Sequence, residues 1–362
     1  MNTRIRVRHL VAAFVAALMT VSLAACSEGD GGHAESFAVG LLLPSRAVPR
    51  WENSDKPLIE QRIDALCPRC TVQYANAEND VSRQRQQITS MITKGVRVLI
   101  LDAVDNRALR SSVQEARRAD VPVVAYDRLA QGPISGYVSF DGAQVGRLQG
   151  EALLKAMRER ETEGSVVMMN GDPASPNAAW YRQGALSVLR GEVTIGRSYQ
   201  TPGWSTDSAH ANMAAAIAAL GPDRIGGVLA ANDAMAAGVI AALKNAGVRQ
   251  LPPITGQDAD LEAVRRIVQG EQYMTVYKPF KAQASAAAAV AIALGRGEDV
   301  REVARATVDS PTTEDVPSVL LTPRTVTVDN IRQTVVRDGV YTIAQICTPE
   351  LRPACVQHGL LS

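Results

Sequence analysis

The chain has 362 residues, in which 38 lysines and arginines balance 37 aspartates and glutamates. Because this even balance includes no basic block, the sequence lacks the positive surface that nucleic-acid binding requires, and we expect no nucleic-acid partner. The length and the 46% apolar content predict a globular protein with two packed domains.

Residues 1–26 have the order of a bacterial export signal. Three arginines among the first eight residues precede an apolar run from Leu10 to Ala25. The run is too short to span a membrane, and no basic stop signal follows it. Its Leu-Ala-Ala-Cys end resembles the lipobox of bacterial lipoproteins, so we expect cleavage before Cys26 and acylation of its thiol. The glycine-rich residues 27–36 are typical of a flexible tether, which leaves the protein outside the cytoplasm and bound to the membrane through its lipid only.

Four cysteines remain after Cys26, an even number that is typical of disulfides in exported proteins. Of the three possible connectivities, local pairing of Cys67 with Cys70 and of Cys347 with Cys355 is the simplest. The alternatives for Cys-Pro-Arg-Cys are a redox pair or half of a zinc site, but no second such pair and no nearby histidine completes either. We therefore expect structural disulfides, no metal and no cofactor.

Apolar, β-branched runs alternate with helical patterns along the chain. The helical segments include 82–94, followed by Gly95, and 106–119, which ends shortly before Pro122. This alternation predicts the α/β class, with parallel sheets covered by helices on both faces. The predicted strands are 37–43, 71–74, 96–101, 121–126, 165–169, 225–229 and 274–277.

Polar side chains follow several of these strands directly. In open parallel sheets, ligands bind beyond the carboxyl ends of the strands. Any one of these residues could be a helix cap, but their repetition favours a binding site with donors and acceptors that match vicinal hydroxyls. Trp51 and Trp204 lie in loops and could sandwich a sugar ring. The residues at strand ends are Asp127, Arg128, Asn232, Asp258 and Lys278.

With these residues the chain resembles a known family, the type I periplasmic sugar-binding proteins of ribose-class ABC importers. Within that family it is most similar to the D-xylose-binding branch. Multiple-aldose-binding proteins are similar relatives. The resemblance covers Phe37 to about Gly339 and depends on Arg50-Trp51, Ala125-Tyr126-Asp127-Arg128, Asn232-Asp233-Ala234, Gly256-Gln257-Asp258-Ala259-Asp260-Leu261 and Met274-Thr275-Val276-Tyr277-Lys278-Pro279.

The resemblance implies two Rossmann-like lobes joined by three hinge crossings, with the sugar enclosed between them. The first lobe is expected to comprise 37–138 and about 277–312, and the second about 139–276 and 313–340. Residues 341–362 then form a tail with a disulfide. The sugar-binding residues implied are Arg50, Trp51, Asp127, Arg128, Asn177, Trp204, Asn232, Asp258 and Lys278.

Two positions depart from the xylose-binding pattern. Pro49 and Ser175 stand where that pattern has acidic residues, so the resemblance leaves open whether D-xylose or a similar aldose is preferred.

The function implied is binding without chemistry. A monomer would capture D-xylose or a similar aldose and deliver it to an ABC permease with its ATPase subunits. The alternatives are a secreted hydrolase that uses two carboxylates such as Asp127 and Asp258, and a sensor that presents bound sugar to a receptor. The neighbouring Arg128 should keep Asp127 ionised and so unsuited to acid catalysis, which disfavours an enzyme.

Overall fold

A computed structural model describes residues 36–361. Cys26, the predicted signal and all but the last residue of the predicted tether lie outside the described residues. The strands are β1 (Ala38–Leu43), β2 (Thr71–Asn76), β3 (Val98–Leu101), β4 (Val123–Tyr126), β5 (Gly136–Phe140), β6 (Ser165–Asn170), β7 (Ile195–Gln200), β8 (Ile225–Ala230), β9 (Thr275–Tyr277), β10 (Ala306–Ser310), β11 (Thr313–Leu321) and β12 (Arg324–Val326).

The α-helices are α1 (Lys56–Leu66), α2 (Val81–Thr93), α3 (Arg110–Arg118), α4 (Gly142–Glu159), α5 (Pro176–Leu189), α6 (Thr206–Leu220), α7 (Asp233–Asn245), α8 (Leu261–Val268), α9 (Phe280–Arg296), α10 (Ile343–Ile346) and α11 (Arg352–Gln357). No helix in the described part of the chain is long and apolar enough to cross a membrane.

The larger sheet has the strand order β10-β11-β5-β4-β3-β1-β2 and is parallel except for its edge strand β10. Its central strands are buried and continuously apolar because helices cover both faces. Leu41, Ile100 and Val124 pack in one core cluster with α1 and α9. Leu42 and Leu101, which alternate with them, pack in a second cluster with α2 and α3.

The smaller sheet has the parallel core β7-β6-β8. It continues through a bridge from Val228 to Ile254, whose carbonyl accepts a hydrogen bond from the Tyr273 N–H at 2.9 Å. The next strand, β9, pairs antiparallel with β12. The predicted α/β class with parallel sheets is therefore confirmed. We name the larger sheet with α1–α3 and α9 the first lobe, and the smaller sheet with α4–α8 the second lobe.

Two glycines determine how closely α4 and α5 pack. A Cβ atom on Gly146 would lie 1.9 Å from the carbonyl oxygen of Tyr181, and one on Gly184 would lie 2.0 Å from that of Ala143. Because any larger side chain would separate the helices, these glycines fix the position of α5. The first turn of α5 carries Asn177.

The chain passes between the lobes at three places: from β5 to α4, from β9 to α9, and from β11 to β12. The third crossing differs from the expected division, which placed 313–340 in the second lobe. Thr313–Leu321 pairs with β5 in the larger sheet, and only from Arg324 does the chain pair with β9. The change occurs beside Pro323, which has no N–H with which to extend a strand ladder.

Both disulfides have the simplest pairing predicted from the sequence, Cys67 with Cys70 and Cys347 with Cys355. The second disulfide lies in the C-terminal tail. There Cys355 packs in a core cluster with Val264 and other residues of α8. The tail is therefore packed on the second lobe, beside the helix that follows Asp258.

Candidate functional site

The nine residues predicted to bind sugar line one small cavity. They come from the ends of β4, β8 and β9, from the loops after β1 and β7, from the segment before α8, and from the first turn of α5. Each of these places lies at the carboxyl end of a strand or in the segment that follows a strand, on the side where open parallel sheets form their binding clefts. Val48, Tyr181 and Gln257 complete the lining.

Arg50 precedes a π-helical turn, Trp51–Asp55, and its side chain is buried. Its Nε and Nη2 atoms donate to Asp55 at 2.9 and 2.8 Å, and Nη2 also donates to Gln283 Oε1 at 2.9 Å. Its Nη1 atom donates to Asp127 Oδ2 at 3.2 Å and to Asp258 Oδ1 at 3.1 Å. Arg50 therefore links a carboxylate of the first lobe with one of the second.

Asp127 follows β4 in a left-handed backbone conformation, with φ of 58°. Its carbonyl oxygen accepts hydrogen bonds from the hydroxyls of Tyr137 and Ser139, which hold this conformation. Its carboxylate accepts hydrogen bonds from Asn177 Nδ2 at 2.8 Å and from Lys278 Nζ at 3.4 Å.

Burial alone would raise the pKa of the Asp127 carboxyl group. The cations Lys278, Arg50 and Arg128 outweigh this effect, so the pKa lies below its ordinary value and Asp127 is ionised.

Asp258 lies in the segment between β8 and α8 with φ of 98°, and Lys278 Nζ lies 3.1 Å from its Oδ1. Burial and the nearby Arg50 lower the pKa of Lys278, but Asp127 and Asp258 raise it more, so the lysine keeps its charge. Two carboxylates and two cations thus neutralise one another in a buried cluster.

The segment that carries Asp258 is held by Asp233. The Asp233 carboxylate accepts hydrogen bonds from the Asp260 N–H at 2.9 Å, from Thr275 Oγ1 at 3.0 Å and from Gln272 Nε2 at 2.8 Å. Burial raises the pKa of Asp233 to about 7. Asp233 is therefore a buried hydrogen-bond acceptor that holds the Asp258 segment from behind the cavity.

Arg128 also follows β4, and its guanidinium is held by residues that do not line the cavity. Its Nη1 atom donates to the carbonyl oxygen of Ala103 at 2.9 Å, and its Nε atom lies 3.4 Å from Asp102 Oδ1. Burial raises the pKa of Asp102 well above the ordinary value for an aspartate.

Trp51 and Trp204 both line the cavity. Trp204 has φ of 54°, and its ring meets the Tyr181 ring edge-on at 6.1 Å. A Cβ atom on Gly171 would lie 2.1 Å from the Trp204 ring, so only glycine lets the indole approach the end of β6 this closely. Within residues 36–361, Nε1 of Trp51, Nε1 of Trp204 and Oδ1 of Asn177 are buried polar atoms without a hydrogen-bond partner.

Asn232 both caps a helix and lines the cavity. Its Oδ1 atom accepts a hydrogen bond from the Met235 N–H at 2.9 Å at the start of α7. The capping interpretation and the binding interpretation of this residue are thus compatible.

Several residues of the site or its support were not among the nine, Val48 and Asp233 among them. Tyr181 lies one helical turn after Asn177, so the spacing itself could have indicated it. Gln257 precedes Asp258. Asp55 and Gln283 lie in helical segments, away from any strand end, and only the fold brings them to Arg50. In the described part of the chain, no cluster of three or more His, Cys, Asp or Glu residues could hold a metal ion.

Comparisons with known proteins agree with this geometry. The sequence model of the periplasmic binding protein domain matches residues 39–299. The chain is 33% identical over 330 residues to the D-xylose-binding periplasmic protein of Escherichia coli K12, a match that covers 90% of this chain and 97% of that protein. It is 32% identical over 328 residues to the multiple sugar-binding periplasmic protein SbpA of Azospirillum brasilense, covering 85% and 90%.

A solved structure gives the same result. The solute-binding protein of an ABC transporter from Clostridium phytofermentans, with bound β-D-glucose, superposes with a TM-score of 0.77 at 29% identity. The superposition covers 85% of this chain and 99% of that one.

Proposed function

The chain belongs to the family of periplasmic binding proteins, and we propose that it captures a monosaccharide, D-xylose or a similar aldose, for an ABC importer. The observation that carries this proposal is the cavity between the lobes, in which buried carboxylates, cations and amides meet two tryptophan rings. Such a lining offers directed hydrogen bonds to hydroxyls and flat apolar faces to a sugar ring.

The unpaired polar atoms support a neutral polyol as the ligand. A hydroxyl group can accept a hydrogen bond from Nε1 of Trp51 or Trp204, and it can donate one to Oδ1 of Asn177. A sugar analogue that lacks these hydroxyls would leave the buried polar atoms of the protein without hydrogen-bond partners, which lowers affinity. Recognition of this kind distinguishes sugars by the positions of their hydroxyls.

A hydrolase is disfavoured by the same cluster. Acid catalysis requires a carboxyl group that is protonated near neutral pH, whereas Asp127 has a lowered pKa beside its cations. The carboxylates of Asp127 and Asp258 both form ion pairs with Arg50 and Lys278. The two relatives described above are named as sugar-binding proteins, which fits a protein without catalytic activity.

Sugar binding would stabilise the closed arrangement of the two lobes. Asp127 belongs to the first lobe, Asn177 and Asp258 to the second, and their side chains converge on the cavity. A sugar that contacts both sets stabilises the closed arrangement, because it binds that arrangement more tightly than the open one. We propose that the permease recognises the closed form of a monomeric protein.

Isothermal titration calorimetry tests the proposal, with xylose, arabinose, ribose, glucose and galactose as ligands. The panel is broad because Pro49 and Ser175 replace acidic residues of the xylose-binding pattern. Binding of at least one sugar, recovered intact by chromatography, supports the proposal. Absence of binding to every sugar, or release of a monosaccharide from a disaccharide, would contradict it.

A matched pair of variants tests the site. Asn232→Ala removes an amide that lines the cavity, whereas Asn245→Ala makes the same change at the exposed end of α7. We expect a loss of affinity only for the first. Equal affinities would refute the site assignment.

We further propose that Cys26 is lipidated and keeps the binding protein beside the permease. A short flexible tether raises the effective concentration of the lobes at the membrane. Cell fractionation before and after Cys26→Ala tests this: the variant should leave the membrane fraction, and retention there would refute the anchor.

A further inference from the structure

Arg50 uses all of its hydrogen-bonding capacity within the protein. A guanidinium group has five N–H donors. The five hydrogen bonds of Arg50 go to Asp55 twice, and once each to Gln283, Asp127 and Asp258. Arg50 therefore acts on a ligand chiefly by holding the carboxylates of Asp127 and Asp258 in place. The orientation of its own guanidinium depends on its other partners.

Asp55 is the partner that determines the orientation of the guanidinium. Its side chain is fully buried, and its two oxygens accept Nε and Nη2 of Arg50 at 2.9 and 2.8 Å in a bidentate pair. The Tyr126 hydroxyl donates to Oδ1 of the same carboxylate, which ties it to the end of β4. Asp55 does not line the cavity.

Two aromatic rings pack against the guanidinium of Arg50. The Arg50 Cζ atom lies 4.1 Å from the centre of the Trp51 ring and 4.4 Å from that of Phe280. Because Asp55 and Gln283 take Nε and Nη2, it is Nη1 that reaches the cavity carboxylates Asp127 and Asp258. Rotation of the guanidinium would break the hydrogen bonds from Nη1 and so displace the Asp127 and Asp258 carboxylates from the positions at which they can bind a sugar.

We propose that Asp55 is a positioning residue for sugar capture, which holds Arg50 so that Asp127 of the first lobe and Asp258 of the second are presented together. This inference rests on the proposed function. Gln283 has a secondary part in the same arrangement, because it accepts from Arg50 Nη2 at 2.9 Å and donates to Asp127 Oδ2 at 3.3 Å.

The contrast with Arg128 supports this role. Asp102 also lies behind a cavity arginine, but its only ion-pair contact with Arg128 in the described chain is 3.4 Å long, and backbone carbonyls hold that guanidinium. Asp55 instead makes the shorter, two-point pair, and its arginine reaches carboxylates of both lobes.

Calorimetric titration of the wild type, Asp55→Asn, Gln283→Leu and Asp80→Asn tests the role. Asp80 is an exposed aspartate that caps α2 through the Arg83 N–H, so it controls for a change of charge and a small loss of stability away from the cavity. We expect affinity to fall about tenfold or more in Asp55→Asn, from the loss of charge-assisted hydrogen bonds, and by less in Gln283→Leu. Asp80→Asn should bind like the wild type.

Urea unfolding of Arg50→Gln, Asp55→Asn and the double variant tests whether Asp55 acts through Arg50. The single change at Arg50 leaves Asp55 as a buried, unpaired charge, so the double variant should unfold at a higher urea concentration than Arg50→Gln. A lower midpoint for the double variant, indicating independent roles, would overturn the inference.

The outcomes separate the two proposals. If the wild type binds no sugar, the proposed function fails and the positioning role falls with it. If the wild type binds while Asp55→Asn folds and binds equally well, only the positioning role is overturned. If Asp55→Asn does not fold, Gln283→Leu decides: reduced affinity supports the role, and unchanged affinity overturns it.

Discussion

Replacing Lys278 with methionine tests the charge balance of the cavity most directly. Lys278 is 2% exposed and lies 3.4 Å from Asp127 Oδ2 and 3.1 Å from Asp258 Oδ1. Methionine fills a similar volume without the charge. Breaking a buried ion pair costs about 3–5 kcal/mol, because the remaining charge is left without a partner and without water. Since Arg50 still pairs with both carboxylates, we expect the lower end, about 3 kcal/mol at pH 7.

The assay is urea unfolding of Lys278→Met beside Lys281→Met, the same substitution at an exposed lysine on α9. The midpoint should fall for Lys278→Met at an unchanged slope, and hardly move for Lys281→Met. A loss below about 1 kcal/mol for Lys278→Met, or one equal to that of the control, would refute the reasoning on buried pairs.

The pH dependence gives a second check on the same variant. The lowered pKa of Asp127 stabilises the wild type above the unfolded-state value of 3.8, and this contribution is lost as the pH falls below it. Lys278→Met removes the foremost of the cations that lower this pKa. The stability difference between wild type and variant should therefore narrow as the pH falls below about 4, and a constant difference would contradict the assignment.

Three further changes follow from the structure. Gly171→Ala should displace the Trp204 ring, lowering sugar affinity and changing tryptophan fluorescence; an unchanged spectrum and affinity would contradict the contact. Because burial raises the pKa of Asp233 from 3.8 to about 7, its carboxylate should make the wild type less stable as the pH rises from about 4 to 7, and Asp233→Asn should flatten this trend in thermal melts. Removing the Cys347–Cys355 disulfide by double alanine substitution should cost about 2–3 kcal/mol in urea unfolding, as expected for a loop closed at a separation of 8 residues.

The sequence was sufficient to locate the cavity because of how parallel sheets are built. Residues at strand ends, such as Asp127 and Asn232, converge whatever the details of packing, since the carboxyl ends of the strands share one edge. Asn177 was indicated only by resemblance to a known family, because it begins a helix and follows no strand directly.

What the sequence did not indicate depends on tertiary contacts or on exposed strands. Asp55 and Gln283 are 228 positions apart and meet only at Arg50, so no local pattern identifies them. Strand β7 (Ile195–Gln200) is half exposed and contains polar residues, and so it lacks the apolar continuity by which the buried strands were recognised. The pattern also gave no sign that Thr313–Leu321 remains in the larger sheet, because that pairing depends on β5.

The backbone at Asp127, Trp204 and Asp258 is left-handed, a conformation that residues other than glycine seldom adopt. Each non-glycine residue in this conformation costs about 1–3 kcal/mol, which the rest of the fold must offset. Glycine would relieve this strain, but it would also remove the buried Trp204 ring or deprive Arg50 and Lys278 of a carboxylate, which costs more than the strain. The side chains that line the cavity at these three positions therefore also offset the strain of their own backbone, so a glycine at any of them should lower stability as well as change the cavity.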